Sequence, residues 1–173
     1  TLSYTGIDAN AQLLQAAEAA LEGKIPALHL HQLDIIEALL TNLDFLENQK
    51  FQLIGSFGVF HHIPSFELRL SLLKYLLSKL EKNGVVVISF WQFMKFERFQ
   101  KKVVPTEDTL EKNDYILDWN RGKTALRYCH FTPQEEQEKL CELAGAHLLE
   151  TYFADGKEET VNQYVVLTQK DIA

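Results

Sequence analysis

The sequence predicts an α/β protein: a mostly parallel sheet with helices on both faces and an antiparallel strand at the C-terminal end. Strand-like and helix-like hydrophobic patterns alternate from Ser3 to Phe90, which is typical of parallel strands joined by right-handed crossovers. Val85–Phe90 is an unbroken run of strand-forming residues, as expected of a central strand that is covered on both faces. Asp155-Gly156 separates two alternating segments near the end of the chain, which indicates a β-hairpin.

The hydrophobic period and the capping residues predict the elements that precede Val85–Phe90. Strands are predicted over three short segments, which are Ser3–Asp8, Leu28–Leu33 and Phe51–Phe57. Helices are predicted where apolar residues recur at helical spacing. The first lies between Asn10 and Gly23, which is just past its end, and the others cover Ile36–Leu46 and Phe66–Leu80. Asn10 can cap the first of these helices, and Asn83-Gly84 is expected to end the last.

Residues 92–126 differ from the rest because they are mixed in charge, weakly periodic and rich in long polar side chains. We expect them to form a lid or insertion over the sheet edge, helical around Phe93–Lys102. A strand is predicted at Arg127–Phe131. The helix after it should begin at a capping box, with Thr132 as N-cap, and should run to Ala144. Two strands close the chain, His147–Ala154 and Val161–Gln169.

Length and composition restrict the kind of protein. The chain has 173 residues and a mass of 19.9 kDa, which fits one domain spanning 1–173. Its 17 Lys and Arg against 24 Asp and Glu give a net charge of −7, which disfavours a general basic surface for nucleic acid. No apolar run approaches the length of a membrane span, and Thr1–Asp8 lacks the features of a signal peptide. Two cysteines give no disulfide framework, so we expect a soluble, cytoplasmic protein.

Candidate ligand-binding residues lie where predicted parallel strands end, since open parallel sheets bind ligands at that edge. Asp8 lies at the end of the first strand. Its carboxylate could accept hydrogen bonds from both hydroxyls of a ribose, or it could simply favour the dipole of the next helix. Asp34 follows the second strand; it could accept a hydrogen bond from an amine such as that of adenine, or it could cap the next helix. The third strand is followed by Ser56–His62, whose small residues would let a ligand approach the backbone.

Histidine and cysteine side chains raise the question of a metal site or a catalytic base. His61 and His62 are adjacent, but sequence neighbours point in different directions. No carboxylate or Cys follows them at ligand spacing, so no metal site is predicted. Cys129 has no motif for nucleophilic catalysis. The segment around it, from Arg127 to His130, either contacts substrate or is an ordinary strand with a partly buried Tyr.

Two stretches of the sequence resemble class I S-adenosylmethionine-dependent methyltransferases. YTGIDANAQLLQAA is similar to their second-strand segment, and FQLIGSFGVFHHIP followed by LLKYLLSKLEKNGVVVISFW is similar to their fourth strand, helix and fifth strand. Gln52 replaces an Asp of the family pattern, and Asn83-Gly84 replaces Gly-Gly. The resemblance extends from Ser3 to Gln169 and implies a Rossmann-like methyltransferase sheet. A narrower resemblance, of DYILDW followed by RYCHFTPQEEQEKL, is to wobble-uridine tRNA methyltransferases and their bacterial relatives.

The resemblance also implies roles for individual residues, with S-adenosyl-L-methionine as the cofactor and a tRNA base or a small molecule as the methyl acceptor. Asp8 would bind the cofactor ribose, and Asp34 the adenine. The full set of implied cofactor residues is Asp8, Ala9, Leu33, Asp34, Ile35, Ser56, Phe57 and His61. The implied substrate residues are Asp118, Trp119, Arg127, Tyr128 and His130. His62 would act as general base where the attacking group must lose a proton.

The family's glycine-rich cofactor loop and the strand before it have no counterpart in residues 1–173. In the implied strand order, 3-2-1-4-5-7-6, that first strand is central, and its loss would leave two inner sheet edges unpaired. We therefore expect it to be supplied by residues preceding Thr1 or by another chain, unless the protein has lost activity. Two other functions stay open: a non-catalytic binding or scaffold protein, and another nucleotide-cofactor enzyme such as a nicotinamide-dependent oxidoreductase.

Overall fold

The computed structural model describes residues 2–107, 109–119 and 125–170. They belong to two compact units, Thr1–Glu47 and Asn48–Ala173. Both units contain a parallel pair of strands together with helices, so the predicted mixed α/β class is confirmed. Within the described ranges, no helix combines the length and the apolar character needed to cross a membrane.

The first unit is a two-stranded parallel sheet with two helices. Its elements are β1 (Ser3–Asp8), α1 (Ala11–Leu21), β2 (Ala27–Gln32) and α2 (Ile35–Leu40). β1 and β2 pair in parallel, with Asp8 opposite Gln32. Asn10 caps α1 as predicted, because its side-chain oxygen accepts two backbone N–H groups of the first turn. α2 is shorter than predicted, since Asn42 adopts a left-handed φ of 52° that is unfavourable in a helix.

The second unit is built on a four-stranded sheet and a separate three-stranded sheet. Its elements in chain order are β3 (Phe51–Ser56), α3 (Phe66–Ser78), β4 (Leu80–Trp91), α4 (Glu97–Gln100), β5 (Val103–Val104), β6 (Asp114–Asp118), β7 (Leu126–His130), α5 (Gln134–Ala144), β8 (Ala146–Ala154) and β9 (Asn162–Gln169). The larger sheet has the order β3-β4-β9-β8, with β3 and β4 parallel and β9 antiparallel to both of its neighbours. The hairpin predicted at Asp155-Gly156 is confirmed, and both residues have positive φ.

The three-stranded sheet has the order β5-β6-β7, is antiparallel, and includes part of the segment predicted as a lid. The prediction of a helix around Phe93–Lys102 is wrong in extent. A 3₁₀ turn at Phe93–Lys95 is followed by the single turn of α4, and the β-branched Val103 then begins a strand. Asp108 and residues 120–124 of the predicted lid lie outside the described residues, and its role as a lid stays a prediction.

The Asn83-Gly84 pair lies inside β4 and not at the end of α3, which corrects the predicted boundary. α3 ends at Ser78, and β4 already begins at Leu80. Asn83 has a φ of 66°, and the pairing of β3 with β4 shifts register near this point. A Cβ on Gly84 would lie 2.8 Å from the carbonyl oxygen of Phe51. The pair therefore belongs to an irregularity at the start of the strand, where another part of the backbone comes close.

The start of α5 also differs from the prediction. The cap residue is Pro133, in extended conformation, and no side-chain cap bond is present in the described part of the chain. Thr132, predicted as the N-cap, is buried, and its carbonyl oxygen accepts a hydrogen bond of 3.0 Å from the Gln137 side chain. The predicted end at Ala144 is confirmed, with Gly145 in the left-handed conformation after it.

The core of the second unit forms between α3 and the larger sheet. α3 contacts α5, β4 and β9. Leu72, Leu73 and Leu77 of α3 are at most 2% exposed, and Val86 and Ile88 of β4 are fully buried. Burying an apolar side chain of this size contributes roughly 1.5–3 kcal/mol. The leucine face of α3 therefore holds the helix on the sheet.

The same helix carries a buried charge, Arg69, whose side chain is 1% exposed. Its Nε donates to Glu136 Oε1 at 2.9 Å, its Nη2 donates to Glu111 Oε2 at 3.2 Å, and its Nη1 donates to the carbonyl oxygen of Ile63 at 3.1 Å. A buried guanidinium requires such partners, because removing a charge from water is costly unless it is paired and hydrogen-bonded.

These contacts continue into the strands of the smaller sheet. His130 Nε2 lies 3.0 Å from Glu136 Oε2, and His130 Nδ1 lies 2.6 Å from Asp114 Oδ1. The Tyr128 hydroxyl donates to the same Asp114 oxygen at 2.7 Å. We call this set the Arg69 network; its members are Arg69, Glu111, Asp114, Tyr128, His130 and Glu136. The network ties α3 and α5 to β6 and β7.

β8 is an edge strand of the larger sheet within the described residues, since it pairs only with β9 there. Its exposed large apolar side chains are Leu148, Leu149, Tyr152 and Phe153. Tyr152 stacks on Tyr164 of β9, with ring centroids 5.2 Å apart. This stacking covers only part of the apolar surface of the edge, since Tyr152 itself is 43% exposed.

Replacing Arg69 with Met should destabilise the second unit by about 3–5 kcal/mol, because the Glu136 carboxylate and the Ile63 carbonyl lose their buried donor. Urea unfolding followed by circular dichroism measures the loss. Arg98→Met is the matched control, since Arg98 pairs with Glu158 where both side chains are 43% exposed. That substitution should cost no more than about 1 kcal/mol. Equal losses for the two variants would contradict a central role for Arg69.

Acid should weaken the Arg69 network through Glu136. Burial alone would raise the pKa of this carboxyl, but the hydrogen bond and charge of His130, together with Arg69, hold the pKa below its ordinary value of 4.5. A lowered folded-state pKa stabilises the protein above the unfolded value, and this contribution is lost as pH falls through the folded value. Glu136→Gln should therefore lower stability near neutral pH and flatten its decline below pH 4.5.

Urea unfolding at a series of pH values tests this expectation. Glu135→Gln is the control, because Glu135 is an exposed acidic residue of the same helix turn. The control should decline in acid as the wild type does. A Glu136→Gln profile parallel to that of the wild type would show that the carboxyl does not carry the acid sensitivity.

Candidate functional site

In the first unit, two carboxylates lie at the edge where β1 and β2 end. Asp8 is the last residue of β1, and the backbone N–H of Leu33 donates to its carbonyl oxygen at 3.1 Å. Asp34 follows Leu33 directly, at the N-cap of α2. The parallel register therefore brings Asp8 and Asp34 to the same edge of their sheet, as the sequence predicts.

The two carboxylates make different local contacts. Asp34 Oδ1 accepts the backbone N–H groups of Ile36 at 2.8 Å and Glu37 at 3.3 Å, so the capping alternative describes its geometry. Asp8 Oδ1 accepts the N–H of Asn10 at 2.7 Å. The second oxygen of Asp8, Oδ2, has no hydrogen-bond partner among the described residues. Each carboxylate therefore has Oδ1 committed to nearby backbone N–H groups, while its Oδ2, without a hydrogen-bond partner among the described residues, is available to a ligand.

The other first-unit residues of the predicted cofactor set are Ala9, Leu33 and Ile35. The carbonyl oxygen of Ala9 accepts a hydrogen bond of 3.1 Å from the Gln32 side chain, which ties the turn after β1 to the end of β2. Leu33 and Ile35 are half-buried on either side of the exposed Asp34. Apolar neighbours beside a polar acceptor are a composition common to small-molecule sites.

In the second unit, β3 leads into a turn that carries the two histidines. Ser56, the last residue of β3, is buried, while Phe57 after it is 59% exposed. Gly58 has a φ of 70°, a conformation that glycine adopts without strain. A 3₁₀ turn follows at Phe60–His62, and its first ring packs edge-on against Phe90. The histidines are thus anchored to the carboxyl end of β4.

His61 and His62 lie side by side, with ring centroids 4.0 Å apart. His62 Nδ1 lies 3.1 Å from the carbonyl oxygen of Tyr128. Because a carbonyl only accepts, Nδ1 carries the hydrogen in the neutral ring, and Nε2 keeps a lone pair. Burial is the main cause that lowers the pKa of both imidazoles. For His61, burial together with the charges of His62 and Arg127 brings the pKa to about 3. For His62, the hydrogen bond to Tyr128 opposes burial and Arg127, and the pKa still lies below its ordinary value. Both rings are therefore neutral near pH 7.

An aromatic surface continues from His61, and we call it the aromatic wall. It consists of the rings of Trp91, Phe99 and Trp119, together with the two cations that pack against Trp119, which are Lys102 and Arg127. The His61 ring lies 5.2 Å from that of Trp91, and Trp91 lies 5.9 Å from Trp119. The cations of Lys102 and Arg127 lie 4.6 and 5.2 Å from the ring centre of Trp119. Sequence reasoning missed Trp91, although its place directly after the central run could have identified it.

Four of the five predicted substrate residues separate into two groups, and Asp118 belongs to neither. Trp119 and Arg127 belong to the aromatic wall. His130 is buried with each ring nitrogen next to a carboxylate, so its geometry favours a structural role over the predicted contact with substrate. Tyr128 joins the same network through its hydroxyl, and burial together with Asp114 raises its pKa. Asp118 has a buried Oδ1 without a hydrogen-bond partner in the described part of the chain.

Cys129 of β7 is fully buried beside the two histidines. One ring nitrogen of His61, one of His62 and the Sγ of Cys129 all lie within 4.8 Å of one another. Burial raises the pKa of the thiol to about 12, so it is protonated at neutral pH, in agreement with the lack of a nucleophile motif. The sequence could not reveal this cluster, because Cys129 reaches it from a strand far along the chain.

Comparison with known proteins identifies similar structures. Neither a protein-family model nor a curated protein sequence matches the chain. An S-adenosylmethionine-dependent methyltransferase from Clostridium acetobutylicum is 14% identical, with a TM-score of 0.70, and the match covers 98% of this chain and 76% of that protein. A second, from Methanosarcina mazei, is 15% identical, with a TM-score of 0.71 and coverage of 97% and 82%. The N-methyltransferase NodS from Bradyrhizobium japonicum, solved with S-adenosyl-L-homocysteine, is 11% identical, with a TM-score of 0.60 and coverage of 96% and 66%.

Identities this low establish a similarity of fold and not of reaction. In each case the match covers nearly all of the chain, and each of the three proteins is named as a methyltransferase. The narrower resemblance to tRNA methyltransferases stays a prediction. The chain therefore has the class I fold of the S-adenosylmethionine-dependent methyltransferases.

Proposed function

We propose that the protein is an S-adenosylmethionine-dependent methyltransferase. The observation that carries this proposal is the similarity of almost the whole chain to methyltransferases of known structure, with TM-scores of 0.70 and 0.71. The position of Asp8 supports it, because a carboxylate that ends a parallel strand is suited to accept the hydroxyls of a ribose.

The first unit contains residues that fit the adenosine part of the cofactor. Asp8 is half-buried, and its Oδ2 makes no hydrogen bond to the described residues, so it can accept a ribose hydroxyl. Asp34 caps α2 through Oδ1 alone, which leaves Oδ2 for an exocyclic amine. Leu33 and Ile35 would contact the base. In the second unit, Ser56, Phe57 and His61 stay the predicted contacts of the methionine part.

The chemistry divides between the cofactor and the protein. When bound, the cofactor supplies a methyl group on a sulfonium that is already activated toward nucleophiles. The protein must then orient the acceptor and take its proton where one has to leave. His62 suits the second task, since its hydrogen bond to Tyr128 leaves Nε2 unprotonated in the neutral ring. A general base of this kind contributes about 10²- to 10⁴-fold to the rate.

The aromatic wall favours a planar or anionic methyl acceptor. The rings of Trp91 and Trp119 provide surface for stacking, and Lys102 and Arg127 provide positive charge beside it. A tRNA base with its phosphates and a small aromatic acid share these properties. Both therefore remain candidate acceptors for the proposed reaction.

Asp8→Asn should weaken the binding of S-adenosyl-L-homocysteine by about 10- to 100-fold, since a hydrogen bond to a charged group contributes roughly 1.5–3 kcal/mol. Asn keeps an acceptor for the Asn10 N–H but removes the second carboxylate oxygen and the charge. Isothermal titration calorimetry on the protein expressed from its complete reading frame measures the affinity. Glu18→Gln, at an exposed position of α1, is the matched control and should bind as the wild type does. Equal affinity of Asp8→Asn and the wild type would contradict the ribose contact.

Native mass spectrometry of the same protein separates the proposal from its rivals. One S-adenosylmethionine or its demethylated product per chain, retained or taken up on addition, would support the methyltransferase. A protein that takes up neither would leave the scaffold function. A protein that binds a nicotinamide dinucleotide in their place would favour an oxidoreductase.

A further inference from the structure

We propose that His61, His62 and Cys129 form a binding site for a zinc ion. The three side chains come from two separate parts of the second unit, the 3₁₀ turn after β3 and the strand β7. One nitrogen of each imidazole and the cysteine sulfur lie within 4.8 Å of one another. Such a site goes beyond the proposed methyl transfer, and its existence does not depend on a bound cofactor.

The hydrogen bonds around the cluster leave metal-binding atoms unused. His61 Nδ1 is buried without a hydrogen-bond partner in the described part of the chain. His62 Nδ1 donates to the Tyr128 carbonyl oxygen at 3.1 Å, which leaves the Nε2 lone pair for a ligand. Histidines that bind metal ions commonly fix their second ring nitrogen in this way. An unpartnered polar atom in a protein interior is costly, and a bound ion would satisfy it.

The spacing of the three ligand atoms is close to that of a zinc site. Zinc bonds of roughly 2.0–2.3 Å at tetrahedral angles place ligand atoms about 3.3–3.6 Å apart. The three atoms lie within 4.8 Å of one another. A side-chain adjustment of about 1 Å, by small rotations within the staggered wells, therefore closes the site.

The ligand types favour zinc over harder cations. Imidazole and thiolate suit zinc, whereas magnesium and calcium prefer oxygen ligands, which this cluster does not supply. When the sulfur–zinc bond forms, the thiol proton of Cys129 passes to solvent. The positive charge of Arg127 lies near the cluster and repels a bound cation. Arg127 is exposed, however, so solvent weakens this repulsion. Three protein ligands leave a fourth tetrahedral position open, as in catalytic zinc sites.

Zinc binding through Nε2 of His62 and base action by the same nitrogen exclude each other, because both use its single lone pair. With zinc bound, the open position could take the heteroatom of an acceptor, whose proton is lost more readily on the metal. This use of the site rests on the proposed methyl transfer, whereas zinc binding itself does not.

Titration of the metal-free protein with Zn²⁺ and Co²⁺ tests the site. The protein expressed from its complete reading frame is stripped with a chelator, and binding is followed by calorimetry for zinc and by absorption for cobalt. We expect one ion per chain and a thiolate-to-cobalt charge-transfer band. Cys129→Ser should remove the band and weaken zinc binding at least about 100-fold. Cys141→Ser, which changes the other free cysteine, should leave both unchanged.

Because Cys129 is fully buried, Cys129→Ser could misfold, and a second pair of variants tests the site independently of that substitution. His62→Gln should weaken zinc binding comparably, and His147→Gln, at an exposed position, should not. The proposal is overturned by a wild-type protein without saturable uptake of either ion, or by a charge-transfer band that survives in Cys129→Ser. Zinc uptake without any binding of S-adenosyl-L-homocysteine would count against the proposed function alone.

Discussion

The buried guanidinium of Arg69 is the interaction on which the geometry of the second unit depends most. A buried charge needs a partner of opposite charge, and Oε1 of Glu136 in α5 lies 2.9 Å from Nε of Arg69. From there, contacts run through His130 and Asp114 to the hydroxyl of Tyr128. The carbonyl of the same Tyr128 accepts the Nδ1 hydrogen of His62. The carbonyl that sets the tautomer of a candidate catalytic residue thus belongs to a residue whose side chain is held by the Arg69 network.

Elements of the fold could be predicted wherever neighbouring residues alone decide the structure. The cap of α1 at Asn10 and the hairpin at Asp155-Gly156 depend on side chains and φ angles within a few residues. The predictions of element boundaries were wrong where atoms far along the chain determine the local structure. Asn83-Gly84 has the composition of a helix end, but the carbonyl of Phe51 comes so close that only glycine fits, and the pair is absorbed into β4. Thr132 has the composition of a cap, but it is buried and bonded to another side chain through its carbonyl.

The candidate site shows the same difference between features that depend on nearby residues and features that depend on distant ones. The ends of parallel strands are visible in the sequence, and this rule identified Asp8, Asp34 and the two adjacent histidines. The partners of a single polar residue are not visible in its sequence neighbours. His130, which the family resemblance implied as a substrate residue, is enclosed by two carboxylates from other elements, and its contact with substrate stays a prediction. The approach of Cys129 to the histidines depends on how β7 packs beside the 3₁₀ turn, which no spacing rule along the chain contains.

The apolar edge of β8 affects how copies of the protein behave beside one another. A strand edge that pairs on one side only, among the described residues, offers backbone hydrogen bonds, and Leu148, Leu149 and Phe153 add exposed apolar surface to it. At pH 7 a net charge of −7 keeps copies apart by repulsion. This repulsion vanishes as the pH approaches the isoelectric point of about 5.4. Mild acidification therefore favours edge-to-edge aggregation, and the colloidal stability of concentrated samples is governed by the surface charge.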